Sequence, residues 1–322
     1  MKTTSFTRAA TLSRLMFWSY LALIALAEGL LAFGDVRFGV TLHVALLIGL
    51  TFAGGVQTDS PTRRATLALV PVVLARVLSL APPLAQVPPV VWPLLVAAPL
   101  LFATAMLIRQ LGVSRAALGL RTGGNLRLQL TIAGGGLGLG MLTSVVRTPA
   151  PLIETFTPLT VLLVALMLII ATGFAEELIF RGLLQSVIQP TMGKWTLIYG
   201  ALLFTAMHID YRSAPLILLA FGIGLLFAVI VQLSGSILGI TLAHGLLNVT
   251  LFLINPYLQQ QQPDGLARLA ILLIIWGWTA ASVFALGLIA FDTWQSKRAA
   301  AVQAAAAEAN QPDSVALERI AA

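Results

Sequence analysis

Apolar residues run through this chain in long blocks separated by short polar stretches, over most of its length. Blocks of that size exceed the single apolar face of a soluble helix. They fit membrane-spanning helices, which need about 18–20 mainly apolar residues each. The pattern predicts about ten spans, near 15–33, 38–55, 65–81, 90–108, 128–146, 157–187, 194–209, 213–233, 236–254 and 266–291. The sixth is longer than a bilayer requires, so it is expected to tilt or to extend past the membrane. The expected fold is all-α: a polytopic transmembrane helical bundle.

Composition strengthens that reading. Hydrophobic residues make up 58% of the 322 positions and charged residues 10%, against about 25% charged in a soluble domain. Cysteine is absent, which excludes disulfides, thiol nucleophiles and thiolate metal sites. The net charge of +7 is not gathered into a basic patch with interleaved aromatics, so no nucleic-acid partner is expected. The cations instead follow topology. With the N-terminus inside, 14 of the 19 Lys and Arg residues fall in inside segments, and only Arg37, Arg147, Arg212 and Arg268 fall outside. Arg76 lies within a span. This bias predicts both termini in the cytoplasm, and the expected location is a bacterial-type plasma membrane. Lys2, Arg8 and Arg14 precede the first apolar block, but no Ala-x-Ala-type cleavage site follows, so the first span is expected to be retained.

Two further stretches imply packing or solvation rather than chemistry. Gly134, Gly135, Gly136, Gly138 and Gly140 crowd one apolar span, with no strand before them and no P-loop lysine after them. Close approach of neighbouring helices is the expected use. Beyond Asp292 the chain turns Ala-rich and polar, as a surface helix or a disordered tail would be. Three regions follow: N-terminal spans over 1–150, a candidate catalytic core over 151–292, and a polar cytoplasmic tail over 293–322.

Ionisable groups inside apolar spans are costly in lipid, so they are candidates for function. They cluster between residues 176 and 248. In Phe174-Ala175-Glu176-Glu177-Leu178-Ile179-Phe180-Arg181-Gly182, the adjacent carboxylates point about 100° apart on a helix. Glu177 and Arg181 have the i,i+4 spacing and orientation of a helical ion pair, which leaves Glu176 to face the bundle interior. Phe204 and His208 share one helix face, as do His244 and Asn248. Because successive spans alternate in direction, Glu176, His208 and His244 can lie at comparable depth. A carboxylate beside an imidazole can hold and deprotonate a water. A second histidine and an asparagine can donate hydrogen bonds to an oxyanion.

Glu-Glu-x-x-x-Arg, Phe-x-x-x-His and His-x-x-x-Asn, in this order and each in an apolar segment, resemble the CPBP family. These are the CAAX-protease and bacteriocin-processing (Abi) intramembrane endopeptidases. The likeness covers about residues 165–250, including Phe180-Arg181-Gly182 and the Gly-Ser-Ile-Leu run before His244. It implies peptide-bond hydrolysis in a membrane-associated protein or peptide, either a CAAX C-terminus or a bacteriocin-type leader. By the same resemblance Glu176 and His208 activate water, His244 and Asn248 stabilise the oxyanion, and Glu177 and Arg181 order the site. The family is also termed metallopeptidase, and Glu176, His208 and His244 are a conceivable zinc ligand set. The His-Glu-x-x-His helix of zincins is absent, so zinc and a metal-free route both stay open here. The competing expectations are a non-catalytic immunity or scaffold protein and, less favoured, a transporter, although no repeat symmetry is visible.

Overall fold

The computed structural model describes residues 2–58, 60–81, 86–121 and 125–309. The end of the polar tail, with Arg319, lies outside the described residues. Among those described, eight helical segments are long and apolar enough to cross a membrane, and the protein is a polytopic helical bundle.

The N-terminal region opens with α1 (Lys2–Phe33) and α2 (Val36–Val56), which pack against each other. Asp35 caps α2 by accepting from the Arg37 N–H at 2.8 Å. The predicted third span is two short helices, α3 (Ser60–Ala68) and α4 (Val70–Ser79), interrupted at Leu69. Pro71 in the first turn of α4 lacks an N–H, so the hydrogen-bond ladder cannot run unbroken through this point. Next come α5 (Trp92–Leu111) and α6 (Leu126–Val146), the latter capped by the Asn125 side chain.

The predicted sixth and seventh spans both belong to one 54-residue apolar helical run, Pro158–Tyr211. It begins with α7 (Pro158–Met167) and passes through a π-helical stretch, Leu168–Phe174. One α-turn, α8 (Ala175–Glu177), separates this from a second π-helical stretch, Leu178–Leu184, which leads into α9 (Gln185–Met192). The run then breaks at Gly193, whose φ of 56° suits glycine. It resumes as α10 (Thr196–Ala206) and ends in a 3₁₀ turn, Ile209–Tyr211. The bundle is completed by α11 (Ala214–Ser234), α12 (Leu238–Val249), α13 (Asn255–Gln260) and α14 (Gly265–Ala309), with π-helical Thr250–Ile254 joining α12 to α13.

The glycine-rich face of α6 does what its composition suggests. A Cβ at Gly136 would overlap the Ala243 backbone, and one at Gly140 would meet the Leu247 carbonyl at 2.6 Å. On its other side α12 presses on the first π-helical stretch. A Cβ at Gly173 would lie 2.7 Å from the Thr241 carbonyl, and one at Gly245 would lie 2.7 Å from the Ile169 Cα. α12 is thus wedged between two backbones at a range that only small residues permit. Outward positions such as Leu266, Leu273 and Ile274 on α14 are exposed and apolar, as a lipid-facing surface requires.

Candidate active site

The adjacent glutamates sit on the single α-turn between the two π-helical stretches. Turns of this wide kind recur where a helix must aim side chains for function. The two carboxylates have different fates. Glu177 is 0% exposed, whereas the Glu176 side chain is 35% exposed, so only Glu176 is open to water.

Glu177 Oε1 accepts from Arg181 Nη1 at 3.0 Å and from His244 Nδ1 at 2.8 Å. The first bond is the predicted i,i+4 pair, and the second ties α8 to α12. Arg181 Nη2 donates to the Gly224 carbonyl at 3.0 Å. Its guanidinium also lies 4.5 Å from the centre of the Phe204 ring. The buried cation is therefore shared by α10, α11 and the glutamate turn. Its charge is matched by Glu177, which a low-dielectric interior demands.

With Nδ1 committed to Glu177, His244 turns Nε2 towards Glu176, 3.8 Å from Oε2. His208 is fixed differently. Its Nδ1–H donates to the Phe204 carbonyl at 2.7 Å, which leaves Nε2 as the lone-pair nitrogen of the neutral ring. The ring stacks near Phe204 and meets the edge of Tyr211 at 5.1 Å between centroids.

Two cavities run beside these groups. One, of about 250 Å³, is bordered by Glu176, His208, Tyr211 and Arg76, with apolar walls from α4 and α5. A smaller one, of about 70 Å³, is bordered by His208, His244, Asn248, Tyr211 and Arg147. His208 borders both. The structure thus brings the six sequence-derived positions together: Glu176, Glu177, Arg181 and His244 around direct contacts, and His208 and Asn248 across shared cavity walls. Asn248 is held by donating from Nδ2 to Thr172 Oγ1 at 2.8 Å, and Thr172 in turn donates to the Leu168 carbonyl within its own helix.

Among the described residues, no group of three His, Cys, Asp or Glu side chains converges closely enough to hold a metal ion. The engaged nitrogen is Nδ1 in both histidines, held by Glu177 in His244 and by a backbone carbonyl in His208, so Nε2 of each ring remains, an arrangement that metal-ligating histidines share.

Sequence patterning did not single out several residues at the site. Thr172 is 76 positions from Asn248, a separation at which no periodicity pairs them. Tyr211 and Arg147 sit near predicted span ends, yet the Arg147 guanidinium lies 4.9 Å from the Tyr211 ring centre at the cavity wall. Glu28 and His43 lie in the first two predicted spans, outside the 176–248 cluster, and both are fully buried. Their one sequence signal was being ionisable residues within long apolar blocks.

No curated protein and no solved structure matches the chain. Residues 158–250 match a family model described as type II CAAX prenyl endopeptidase Rce1-like. All six candidate positions, and Thr172 and Tyr211 with them, fall inside that segment. The helical run and α12, which between them carry the site, are therefore similar to the Rce1-like CAAX endopeptidases, consistent with the CPBP resemblance of the motifs.

Proposed function

We propose that the protein is an intramembrane endopeptidase that hydrolyses a peptide bond near the C-terminus of a membrane-associated, CAAX-type substrate. The observation that carries this reading is the division of labour between the adjacent glutamates. Glu177 is consumed by Arg181 and His244, while Glu176 faces a cavity that it shares with His208.

In this reading a water rests between Glu176 and the free Nε2 of His208. Glu176 takes its proton as the oxygen attacks the scissile carbonyl carbon. The carbonyl oxygen gains charge and accepts from the Asn248 carboxamide and from His244 Nε2–H, which requires His244 in its imidazolium form, with Nδ1–H on Glu177. Collapse of the tetrahedral adduct breaks the C–N bond, and the proton held by Glu176 passes to the departing amine. Glu177 and Arg181 hold the His244 ring and move no protons. Every step runs on side chains of this chain, so no metal is assigned a role. On the ten-span reading of the sequence, the distribution of Lys and Arg supports both termini in the cytoplasm.

The test is cleavage of a prenylated CAAX reporter peptide by purified protein in liposomes. Glu176→Ala, His208→Ala and His244→Ala should each lower kcat at least about 100-fold. Chelator treatment should leave the rate unchanged. Undiminished turnover in all three variants overturns the endopeptidase assignment. Loss on chelation with recovery on adding zinc overturns the metal-free route alone.

A further inference from the structure

A second buried ionic cluster lies outside the segment that matches the endopeptidase family. Glu28 on α1 and His43 on α2 are both fully buried, with His43 Nε2 3.3 Å from Glu28 Oε1. The same oxygen accepts from Arg76 Nε on α4 at 2.7 Å. Holding helices together does not require this, because apolar packing of equal volume serves as well or better. A buried ion pair with a histidine packed beside it, kept at this cost in an apolar bundle, calls for a task.

The direction in which Arg76 points supplies one. Its Nη2 donates to the Met207 carbonyl at 2.7 Å, and its Nη1 donates to Asp210 Oδ2 at 3.3 Å. These acceptors bracket His208. Helix α10 ends at Ala206, so the Met207 carbonyl belongs to a helix C-terminus, where carbonyls lose their intrahelical partners. A guanidinium from another helix fills that vacancy and suits the negative end of the dipole. The next residue, His208, leaves helical geometry with φ −111° and ψ 10°. The direction in which its ring faces the cavity that Glu176 also borders therefore depends on how this turn is held. Three nitrogens of Arg76 reach three acceptors at once, a fork that lysine cannot reproduce.

Building on the proposed endopeptidase mechanism, we infer that Glu28 and Arg76 are positioning residues. Glu28, backed by His43, orients the guanidinium, and the guanidinium clamps the 207–210 turn so that His208 faces the cavity that Glu176 borders. The N-terminal helices thereby complete a site whose reacting groups all lie between 176 and 248.

The test uses full-length protein in liposomes with the prenylated CAAX reporter peptide, alongside diethylpyrocarbonate labelling of histidines mapped by mass spectrometry. Arg76→Ala should lower kcat by about 100-fold, the scale of a misplacement of about 1 Å, with KM within about twofold. Arg76→Lys should recover part of that loss, and Glu28→Gln, which keeps an acceptor without its charge, should cost about tenfold. Labelling of His208 should speed up in Arg76→Ala while His244 stays as slow as in wild type. Wild-type kcat in Arg76→Ala and Glu28→Gln overturns the inference. So does a change confined to KM, which would make Arg76 a substrate contact, or unchanged His208 labelling. Glu176→Ala separates the two claims. If it cleaves at the wild-type rate the proposed role of Glu176 in the endopeptidase mechanism fails, and the labelling still judges the clamp without any turnover.

Discussion

The molecule buries two clusters of the same composition, each with one carboxylate, one arginine and one histidine. In Glu177–Arg181–His244 and in Glu28–Arg76–His43 the carboxylate is 0% exposed. They differ in what surrounds the cation. Arg181 is 2% exposed and sits against Phe204, while Arg76 is 13% exposed and also reaches Asp210, itself 42% exposed. The first cluster has proposed reactive groups at cavity walls beside it: Glu176, His244 and Asn248. The second meets the same region through a helix end. Burial of charge in the bundle is therefore common to the proposed reacting groups and to their proposed scaffold. What sorts them is which atoms remain uncommitted at a cavity wall.

The sharpest test of that difference is to remove each carboxylate. Glu177→Ala leaves Arg181 buried without a counter-charge and frees His244, so it should cost about 3–5 kcal/mol of stability and abolish cleavage. Glu28→Ala leaves Arg76 with Asp210 and the Met207 carbonyl, at a site where water can approach. A loss of about 1–2 kcal/mol is expected, within the ordinary range for single substitutions. Reversible unfolding in mixed micelles measures both values. Equal losses would mean that the two arginines are equally isolated, and the distinction between the clusters would fail.

Legibility in the sequence follows the same divide. Glu177 and Arg181 are one helical turn apart, so spacing alone predicts their pairing. The crowding of glycines on α6 likewise announces close packing. The tie between Glu177 and His244 spans 67 positions, and that between Arg76 and Glu28 spans 48. Such pairs depend on how helices pack, which no local period encodes. Span boundaries blurred for a related reason. Hydropathy measures length in lipid, but the break at Leu69 arises from the backbone chemistry of Pro71, and that at Gly193 from a positive φ. The π-helical turns around Glu176 carry no compositional mark, and the first of them packs against α12.

That fit offers a way to disturb one cluster and spare the other. A methyl group at Gly136 would overlap the Ala243 backbone, one residue before His244. Gly136→Ala should therefore push α12 away from α6 at a cost of about 1–3 kcal/mol, with a drop in kcat from the displaced imidazole. Gly49→Ala on α2 meets nothing within 4 Å and should stabilise by about 0.5–1 kcal/mol. Thermal unfolding and peptide cleavage of both variants provide the check. Diethylpyrocarbonate labelling should detect altered reactivity at His244 and none at His43 in the Gly136 variant. Changes at both histidines would show that the two clusters are mechanically one.

The smallest expected effect lies in the tie between Asn248 and Thr172, which sits on the π-helical stretch just before the glutamates. Thr172 Oγ1 accepts from Asn248 Nδ2, and interhelical hydrogen bonds within membranes average only about 0.6 kcal/mol. Thr172→Val should thus leave unfolding nearly unchanged. Its effect belongs in kcat, because a freely turning carboxamide meets the oxyanion less often. A fall of several-fold up to about tenfold is expected, well short of the roughly 100-fold or greater loss from deleting an oxyanion donor outright. Thr172→Ser keeps the acceptor and should restore the rate, whereas Asn248→Ala should be insensitive to the state of position 172. If Thr172→Val slows cleavage equally in the Asn248→Ala background, the threonine acts through the helix rather than through Asn248. The carboxamide would then have to be oriented by something other than the glutamate-bearing helix.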